Sequence, residues 1–184
     1  MSPPSTTATP EQHKLLTALA LAMVDHPRAT LTELAKAVGV SKATLYRFCR
    51  TREQLMERLV SYGVDTLMQA LREAQLDTQP PLEGIRRLAE LTLQNRELSC
   101  FLIHHRHCLE IEDANQWSVI LDAFFLRAQQ DGFLRIDISA QALTEIWGSL
   151  AAGAIDAERR GRIPRVGLNT LLERFFLSGA AVQP

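Results

Sequence analysis

The sequence predicts an all-α protein of about nine helices. Apolar residues recur three and four positions apart in nearly every segment, as at Leu15, Leu19 and Met23. Several segments begin with Thr or Ser followed three positions later by Glu or Gln, which is the pattern of a helix start. No alternating apolar run is longer than residues 134–138, so we expect no β-sheet.

The composition is that of a globular protein and excludes several other classes. The 184 residues are 46% hydrophobic and 22% charged, which argues against a disordered or fibrous chain. No apolar run approaches the roughly 18–20 residues needed to span a bilayer. The first ten residues, MSPPSTTATP, lack the basic segment of a signal peptide. Three cysteines do not make a disulfide framework. We therefore expect a soluble, cytoplasmic protein.

Three short helices are predicted in the first fifty residues. The first begins at the sequence TPEQ of residues 9–12 and stops before Pro27. The second begins at TLTE, another capping sequence, and ends at Gly39. Ser41 caps a third helix, which runs to about Cys49.

A long helix follows at residues 51–76, and the pair Pro80-Pro81 ends that section. Amphipathic stretches then predict helices at 82–95, 97–111, 115–131, 139–160 and 167–179.

The segment LTELAKAVGVSKATLYRFC, residues 31–49, is typical of a helix-turn-helix. Ala35 is the small residue needed where the two helices touch, and Gly39, four positions later, tolerates the positive φ of the turn. An apolar seam joins the two helices and consists of Leu34, Val38, Val40, Leu45 and Phe48. A plain helical hairpin with a solvated polar face is the alternative interpretation.

The outward positions of the second helix of this motif suit the major groove of DNA. They carry small, hydroxylated and cationic side chains: Lys42, Ala43, Thr44, Tyr46 and Arg47. Residues 1–62 have a charge balance of +3 and residues 63–184 one of −4, so the basic charge lies around the motif.

Residues 11–62 resemble the N-terminal DNA-binding domain of the TetR family of bacterial transcriptional regulators. The resemblance rests on Tyr46-Arg47-Phe48-Cys49 at the end of the recognition helix and on Arg52-Glu53-Gln54-Leu55 at the start of the fourth helix.

Two residues depart from the family pattern. Cys49 replaces a usual aromatic residue, which we expect to loosen a core contact. Arg52 replaces a usual lysine and keeps its charge. The tail lacks basic residues, so we expect no minor-groove arm. The predicted DNA-binding residues are Thr32, Ser41, Lys42, Ala43, Thr44, Tyr46, Arg47 and Arg52.

The similarity extends to the NfxB-like repressors of multidrug efflux operons, through HPRATLTELAKAVGVSKATLYRFC, LDAFFLRAQQDGFLRIDISA and DAERRGR. It implies a repressor of an efflux-pump operon and of its own gene. We accordingly predict a loosely held tail at 1–8 and a DNA-binding domain at 9–50. An effector-binding and dimerisation domain follows at 51–184, entered through the long helix 51–76.

Two late helices are the predicted interface of a homodimer on a pseudo-palindromic operator. Helix 139–160 is rich in small residues that allow close helix approach, and helix 167–179 is more apolar than a terminal surface helix requires. The predicted interface residues are Gly148, Ala152, Leu168, Leu171, Leu172, Phe175 and Phe176. The alternative is that they close the core of the monomer.

The resemblance also implies a pocket for a small effector, and apolar and aromatic residues suit a lipophilic one. The predicted lining is Phe101, His104, Cys108, Trp117, Leu121, Phe124, Phe125 and Trp147. Such aromatic residues at helical spacing are alternatively ordinary core.

Two clusters of residues could be interpreted as a metal site and as a second DNA contact, but in both cases ordinary surface residues are the favoured interpretation. Cys100, His104 and Cys108 fall on one helical face, with His105 and His107 nearby, but one helix presents only adjacent pairs of metal ligands well. Surface or pocket-wall histidines are favoured, and we expect no metal and no other cofactor. The arginines between 159 and 165 are similarly favoured as a solvated loop rather than as a second DNA contact.

No motif of a known catalytic centre is present, so we do not expect an enzyme. An all-helical protein-binding adaptor is the competing class, but it gives no reason for Ala35, Gly39 and the basic face to occur together. Salt-dependent DNA affinity separates the two classes.

Overall fold

The computed structural model describes residues 9–105, 108 and 111–182. Within them it confirms the all-α class, with nine α-helices. They are α1 Pro10–Asp25, α2 Leu31–Ala37, α3 Lys42–Phe48, α4 Arg52–Glu73, α5 Pro81–Gln94, α6 Arg96–His104, α7 Ile111–Gln130, α8 Ala140–Arg159 and α9 Leu168–Ala180. The predicted tail at 1–8 lies outside the described residues.

The largest departures from the predicted helix boundaries are at the ends of α4 and α6. The long helix, predicted over 51–76, ends at Glu73, and Gln75 then adopts a left-handed backbone with φ +49°. A residue in that conformation terminates a helix. The helix predicted over 97–111 ends at His104, and α7 begins at Ile111 rather than at 115.

The chain divides into two compact units, and the predicted domain border at 50/51 stays a prediction. The N-terminal unit comprises the described residues of Met1–Leu67 and Glu97–Leu109. The C-terminal unit comprises those of Met68–Arg96 and Glu110–Pro184. The helix α4 is continuous and contributes to both.

The N-terminal unit has an aliphatic core. Leu19, Met23, Leu34, Leu45, Leu55 and Leu59 are completely buried there. Gly63 of α4 lies against α6, since a Cβ at this position would meet the side chain of Leu102 at 3.3 Å. The absence of a side chain at Gly63 therefore lets α6 approach α4 closely, which explains why α6 belongs to this unit.

The C-terminal unit is built on an aromatic core, with α7 packed on α8, α8 on α9 and α9 on α5. Phe176 of α9 lies at its centre, with ring centroids 5.3 Å from Phe125 and 5.2 Å from Trp147. Phe124 adds to the cluster at 5.2 Å from Phe125. Aromatic pairs at these separations are favourable beyond the area that they bury.

None of the helices within the described residues is long and apolar enough to cross a membrane.

Candidate DNA-binding interface

The motif predicted at residues 31–49 is formed by α2, α3 and the turn between them. Gly39 has φ +73° in this turn, which is the left-handed conformation predicted for it from the sequence. Glycine adopts this conformation without the steric cost that a side chain would add. The amide of Val40 donates to the carbonyl of Ala35, N···O 3.0 Å, and Ala35 is buried where the helices meet. Leu34 and Leu45 form the inner part of the seam and are completely buried, while Val38, Val40 and Phe48 are half-buried. A tightly packed pair of helices results.

The start of α2 is fixed by a capping box. The hydroxyl of Thr30 accepts from the amide of Glu33 at 3.3 Å, and the Glu33 carboxylate accepts from the amide of Thr30 at 2.7 Å. These bonds to Thr30 favour the ionised carboxylate and hold the pKa of Glu33 below its ordinary value. Thr32, in the first turn of the same helix, is exposed, as a DNA contact requires.

The helix α3 presents an exposed polar and cationic face. Lys42, Ala43, Tyr46 and Arg47 are exposed, and Thr44 is half-buried. The Lys42 ammonium lies 5.2 Å from the centroid of the Tyr46 ring. The structure thus brings the predicted recognition residues of α3 together on one surface of the N-terminal unit.

The predicted DNA contacts Ser41, Thr44 and Arg52 have intramolecular hydrogen-bond partners. Ser41 caps α3 through its hydroxyl, which accepts from the amide of Thr44 at 3.0 Å. The guanidinium of Arg52 donates from Nη2 to the carbonyl of Pro27 at 2.7 Å. The Nε of Arg52 is buried and, within the described part of the chain, has no hydrogen-bond partner. Arg52 thus ties the start of α4 to the turn after α1, and its role as a phosphate contact stays a prediction.

The far end of α3 is attached to α4. The guanidinium carbon of Arg58 lies 4.7 Å from the centroid of the Phe48 ring, a favourable cation–π contact. Cys49 is buried beside them, with its thiol 3.6 Å from the carbonyl of Leu45. Burial raises the pKa of the Cys49 thiol, which disfavours the reactive thiolate.

A further pair, which the sequence did not indicate, connects α1 with α4. The Tyr62 hydroxyl makes a short hydrogen bond with Nδ1 of His13, and the two rings meet edge to face. Burial raises the pKa of the Tyr62 hydroxyl. Only proximity in the fold identifies this pair, because the residues are 49 positions apart.

The structure divides the predicted effector-lining residues between the two units. Phe101, His104 and Cys108 belong to the N-terminal unit, and the others belong to the C-terminal unit. Phe124, Phe125 and Trp147 are buried around Phe176, while Trp117 and Leu121 are half-buried. The buried indole N–H of Trp117 has no hydrogen-bond partner within the described residues. Lining of a pocket by these residues stays a prediction.

The predicted interface residues fall into two groups. Leu168, Leu172 and Phe176 are buried within the C-terminal unit. Leu171 and Phe175 of α9 are exposed to 37% and 67%. On α8, Gly148 is exposed and Ala152 half-buried. One face of α9 therefore closes the core of the unit, and Leu171 and Phe175 leave exposed apolar surface on the outer side of the helix.

Of the two clusters that the sequence singled out, the one at residues 100–108 is only partly described, and the arginines between 159 and 165 are described in full. Nδ1 of His104 lies 2.8 Å from the carbonyl of Cys100 and 3.6 Å from its sulfur. Across the described ranges, no three His, Cys, Asp or Glu side chains are grouped as a metal ion needs, and His107 lies outside those ranges. In the arginine-rich segment, Arg160 pairs with Asp156 at 2.9 Å.

Comparisons with known proteins agree with this geometry. No protein-family model matches the chain. The chain is 45% identical over 174 residues to the HTH-type transcriptional regulator NfxB of Pseudomonas aeruginosa, covering 91% of this chain and 93% of that protein. The HTH-type transcriptional repressor LfrR of Mycolicibacterium smegmatis is 29% identical over 90 residues, 49% of this chain and 48% of LfrR.

Solved structures give the same fold. The TetR-like transcriptional regulator LfrR from Mycobacterium smegmatis, in complex with proflavine, matches with a TM-score of 0.69 and 22% identity over 93% of this chain and 96% of that one. The ketosteroid transcriptional regulator KstR2 of Mycobacterium tuberculosis matches with a TM-score of 0.75 and 14% identity over 96% and 98% of the two chains.

Proposed function

Since the chain belongs to the TetR family of transcriptional regulators, we propose that it is a homodimeric repressor of an efflux-pump operon and of its own gene, released from DNA by a small lipophilic effector. The efflux assignment follows the similarity to NfxB over most of both chains. Homologous members of the family are regulators and not enzymes.

The observation that carries the proposal is the exposed face of α3. Lys42, Tyr46 and Arg47 project from a short helix that is capped by Ser41 and buttressed by a completely buried Leu45. A rigidly held helix with small, aromatic and cationic side chains fits the major groove and the adjoining phosphates. An adaptor that binds only proteins has no need of a cationic face on this helix.

Dimerisation supplies the second half-site. Leu171 and Phe175 offer an exposed apolar face on α9. Gly148 and Gly153 on α8 leave open space where a Cβ would be, so a partner helix can approach closely there. We propose that these faces of α8 and α9 pair with their counterparts in a second copy about a two-fold axis.

The effector is proposed to be lipophilic and to bind in the C-terminal unit. The solved structure of LfrR holds proflavine, a planar aromatic molecule. In the present chain, the half-buried Trp117 and Leu121 lie on α7, the helix that also carries Phe124 and Phe125. An apolar lining with an unpartnered indole N–H suits an aromatic ligand with a hydrogen-bond acceptor.

Release from DNA requires that the effector favour the conformation that does not bind the operator. We propose that it displaces α4, which is continuous with the N-terminal unit, and so changes the separation of the two recognition helices. Recognition helices on half-sites one turn apart must be spaced by about 34–36 Å, so a small change in separation breaks the register.

The test begins with selection of a duplex from a random DNA library by the purified protein. Fluorescence anisotropy then measures the dissociation constant of that duplex over a salt series, beside a Lys42→Ala/Tyr46→Ala double variant. Saturable binding that weakens with salt and is lost in the folded variant supports the proposal. Failure to enrich any sequence, with no preference over random DNA, overturns it and favours the adaptor. Addition of proflavine to the complex tests the effector separately.

A further inference from the structure

The C-terminal end of α4 is held by arginines from two other helices. The carbonyl groups that these arginines contact belong to Ala74, Leu76 and Gln79, in the short segment that follows the last helical residue, Glu73. Arg87 of α5 donates from Nη1 to the carbonyl of Ala74 at 3.2 Å. Arg127 of α7 donates from Nη2 to the carbonyls of Leu76, through a short bond, and of Gln79 at 2.9 Å. Cations at this position also complement the negative end of the helix dipole.

Arg127 also contacts an aromatic ring and a carboxylate, whereas Arg87 pairs with the carboxylate of Glu83 at 3.4 Å. The guanidinium of Arg127 lies over the ring of Phe124, 5.8 Å from the centroid, one turn earlier on α7. Asp131, one turn later, pairs with it at 3.9 Å. The orientation of the guanidinium therefore depends on the Phe124 ring on one side and on Asp131 on the other.

Phe124 is itself in close contact with α5. A Cβ built on Gly84 would lie 2.6 Å from Cζ of Phe124, a separation that real side chains do not tolerate. Phe124 is buried and packs on Phe125. Close-packed rings transmit displacement because there is no free volume to absorb it, so a shift of Phe124 moves Arg127 as well.

We propose that Arg127 is a positioning residue for operator binding: it transmits displacement of Phe124 in the C-terminal unit to the end of α4, and α4 carries it to the recognition helix. This inference rests on the proposed DNA-binding function and specifies how that function is regulated. It requires no particular effector, because anything that moves Phe124 acts through the same guanidinium.

The test replaces the effector with a substitution that pushes Phe124. The variant Gly84→Ala forces the ring to move, and its effect on the dissociation constant of the selected duplex is measured in two backgrounds, the native chain and Arg127→Gln. We expect Gly84→Ala to weaken binding about tenfold in the native background, within the range of ordinary couplings, and less than twofold with Arg127→Gln. Arg87→Gln is the matched control, because it removes the same charge and a carbonyl contact of the same kind but leaves the contact between Arg127 and Phe124 in place. In that background the tenfold effect should persist.

Two results would overturn the proposal. An equal effect of Gly84→Ala in the native and Arg127→Gln backgrounds means that Arg127 carries no coupling. No effect in either background means that displacement of Phe124 does not reach the DNA-binding residues. Circular dichroism checks the fold of each variant, and Phe124→Leu, read by the same criteria, takes the place of Gly84→Ala if that variant does not fold. Loss of all duplex binding by the native protein would instead refute the proposed function.

Discussion

The ammonium group of Lys42 lies 5.2 Å from the centroid of the Tyr46 ring, so two exposed side chains one turn apart on α3 form one surface. The ring limits the positions open to the lysine and keeps its charge near the backbone of α3. A positioned cation loses less conformational entropy when it meets a phosphate than a freely moving one does. Lys42 is therefore expected to contribute to affinity, and Tyr46 to support it.

Replacement of Lys42 by alanine should weaken binding to all DNA sequences by a similar factor and lower the slope of log affinity against log salt by about one. Tyr46→Phe keeps the ring and should leave that slope unchanged. Lys14→Ala, which removes an exposed lysine from α1, is the charge-matched control. Anisotropy titrations at four salt concentrations measure the slopes, and an equal loss of slope in the Lys42 and Lys14 variants would refute a specific phosphate contact.

The turn of the motif offers a test of backbone conformation alone. Gly39→Ala should destabilise the protein by about 1–2 kcal/mol, because φ +73° is unfavourable for a residue with a Cβ. A Cβ at this position has no atom within 4 Å, so no steric clash contributes. Urea unfolding measures the change. Gly39→Asn should lose less, since asparagine tolerates the left-handed region better than alanine does; equal losses would indicate another cause.

The sequence predicted the fold class, the motif and its turn because these depend on short-range patterns. Each of these patterns involves residues only a few positions apart: a capping residue and its partner, the apolar repeat of a helix, and the glycine of the turn. The burial of Leu34, Ala35 and Leu45 follows from the same pattern.

Long-range contacts were not predictable in this way. The contacts of Arg127 with the end of α4 join residues about fifty positions apart, and the arginine resembles any surface cation in the sequence. The partner of Arg52 was also missed, because a carbonyl group leaves no trace in composition. Leu172 and Phe176 illustrate a third limit: apolar periodicity on α9 cannot separate the face that closes a core from the face left for a partner.

Acid should weaken the helix-turn-helix through Glu33. Its pKa is held below the ordinary value of 4.5 by the bonds to Thr30, so the folded state binds this proton less readily than the unfolded state. The stabilisation is complete above the ordinary pKa and is lost as the pH falls through the lowered pKa. Urea unfolding of the native protein and of Glu33→Gln between pH 7 and pH 3 measures the difference.

The two proteins should converge in stability at low pH, because glutamine keeps the shape of the cap but cannot ionise. Glu57→Gln, which removes a carboxylate from within α4 rather than from a cap, is the control. If the difference in free energy of unfolding between the native protein and Glu33→Gln stays constant across the whole pH range, ionisation of this carboxylate does not stabilise the fold.

The two faces of α9 should respond differently to substitution if the exposed one pairs with a second copy. Phe175 is 67% exposed, so Phe175→Glu should leave the fold of one chain intact, yet it places a charge in the proposed dimer interface, where an unpaired charge is costly. We expect light scattering to give the mass of one chain rather than two, and operator affinity to fall because a monomer reads only one half-site.

Val119→Glu, a similar change at a 66% exposed residue of α7, should remain dimeric and bind DNA normally. Phe176→Ala, on the buried face, should instead lower the free energy of unfolding by about 3–5 kcal/mol. A native protein with the mass of one chain would refute dimerisation, and a dimer that survives Phe175→Glu together with Leu171→Glu would place the interface elsewhere.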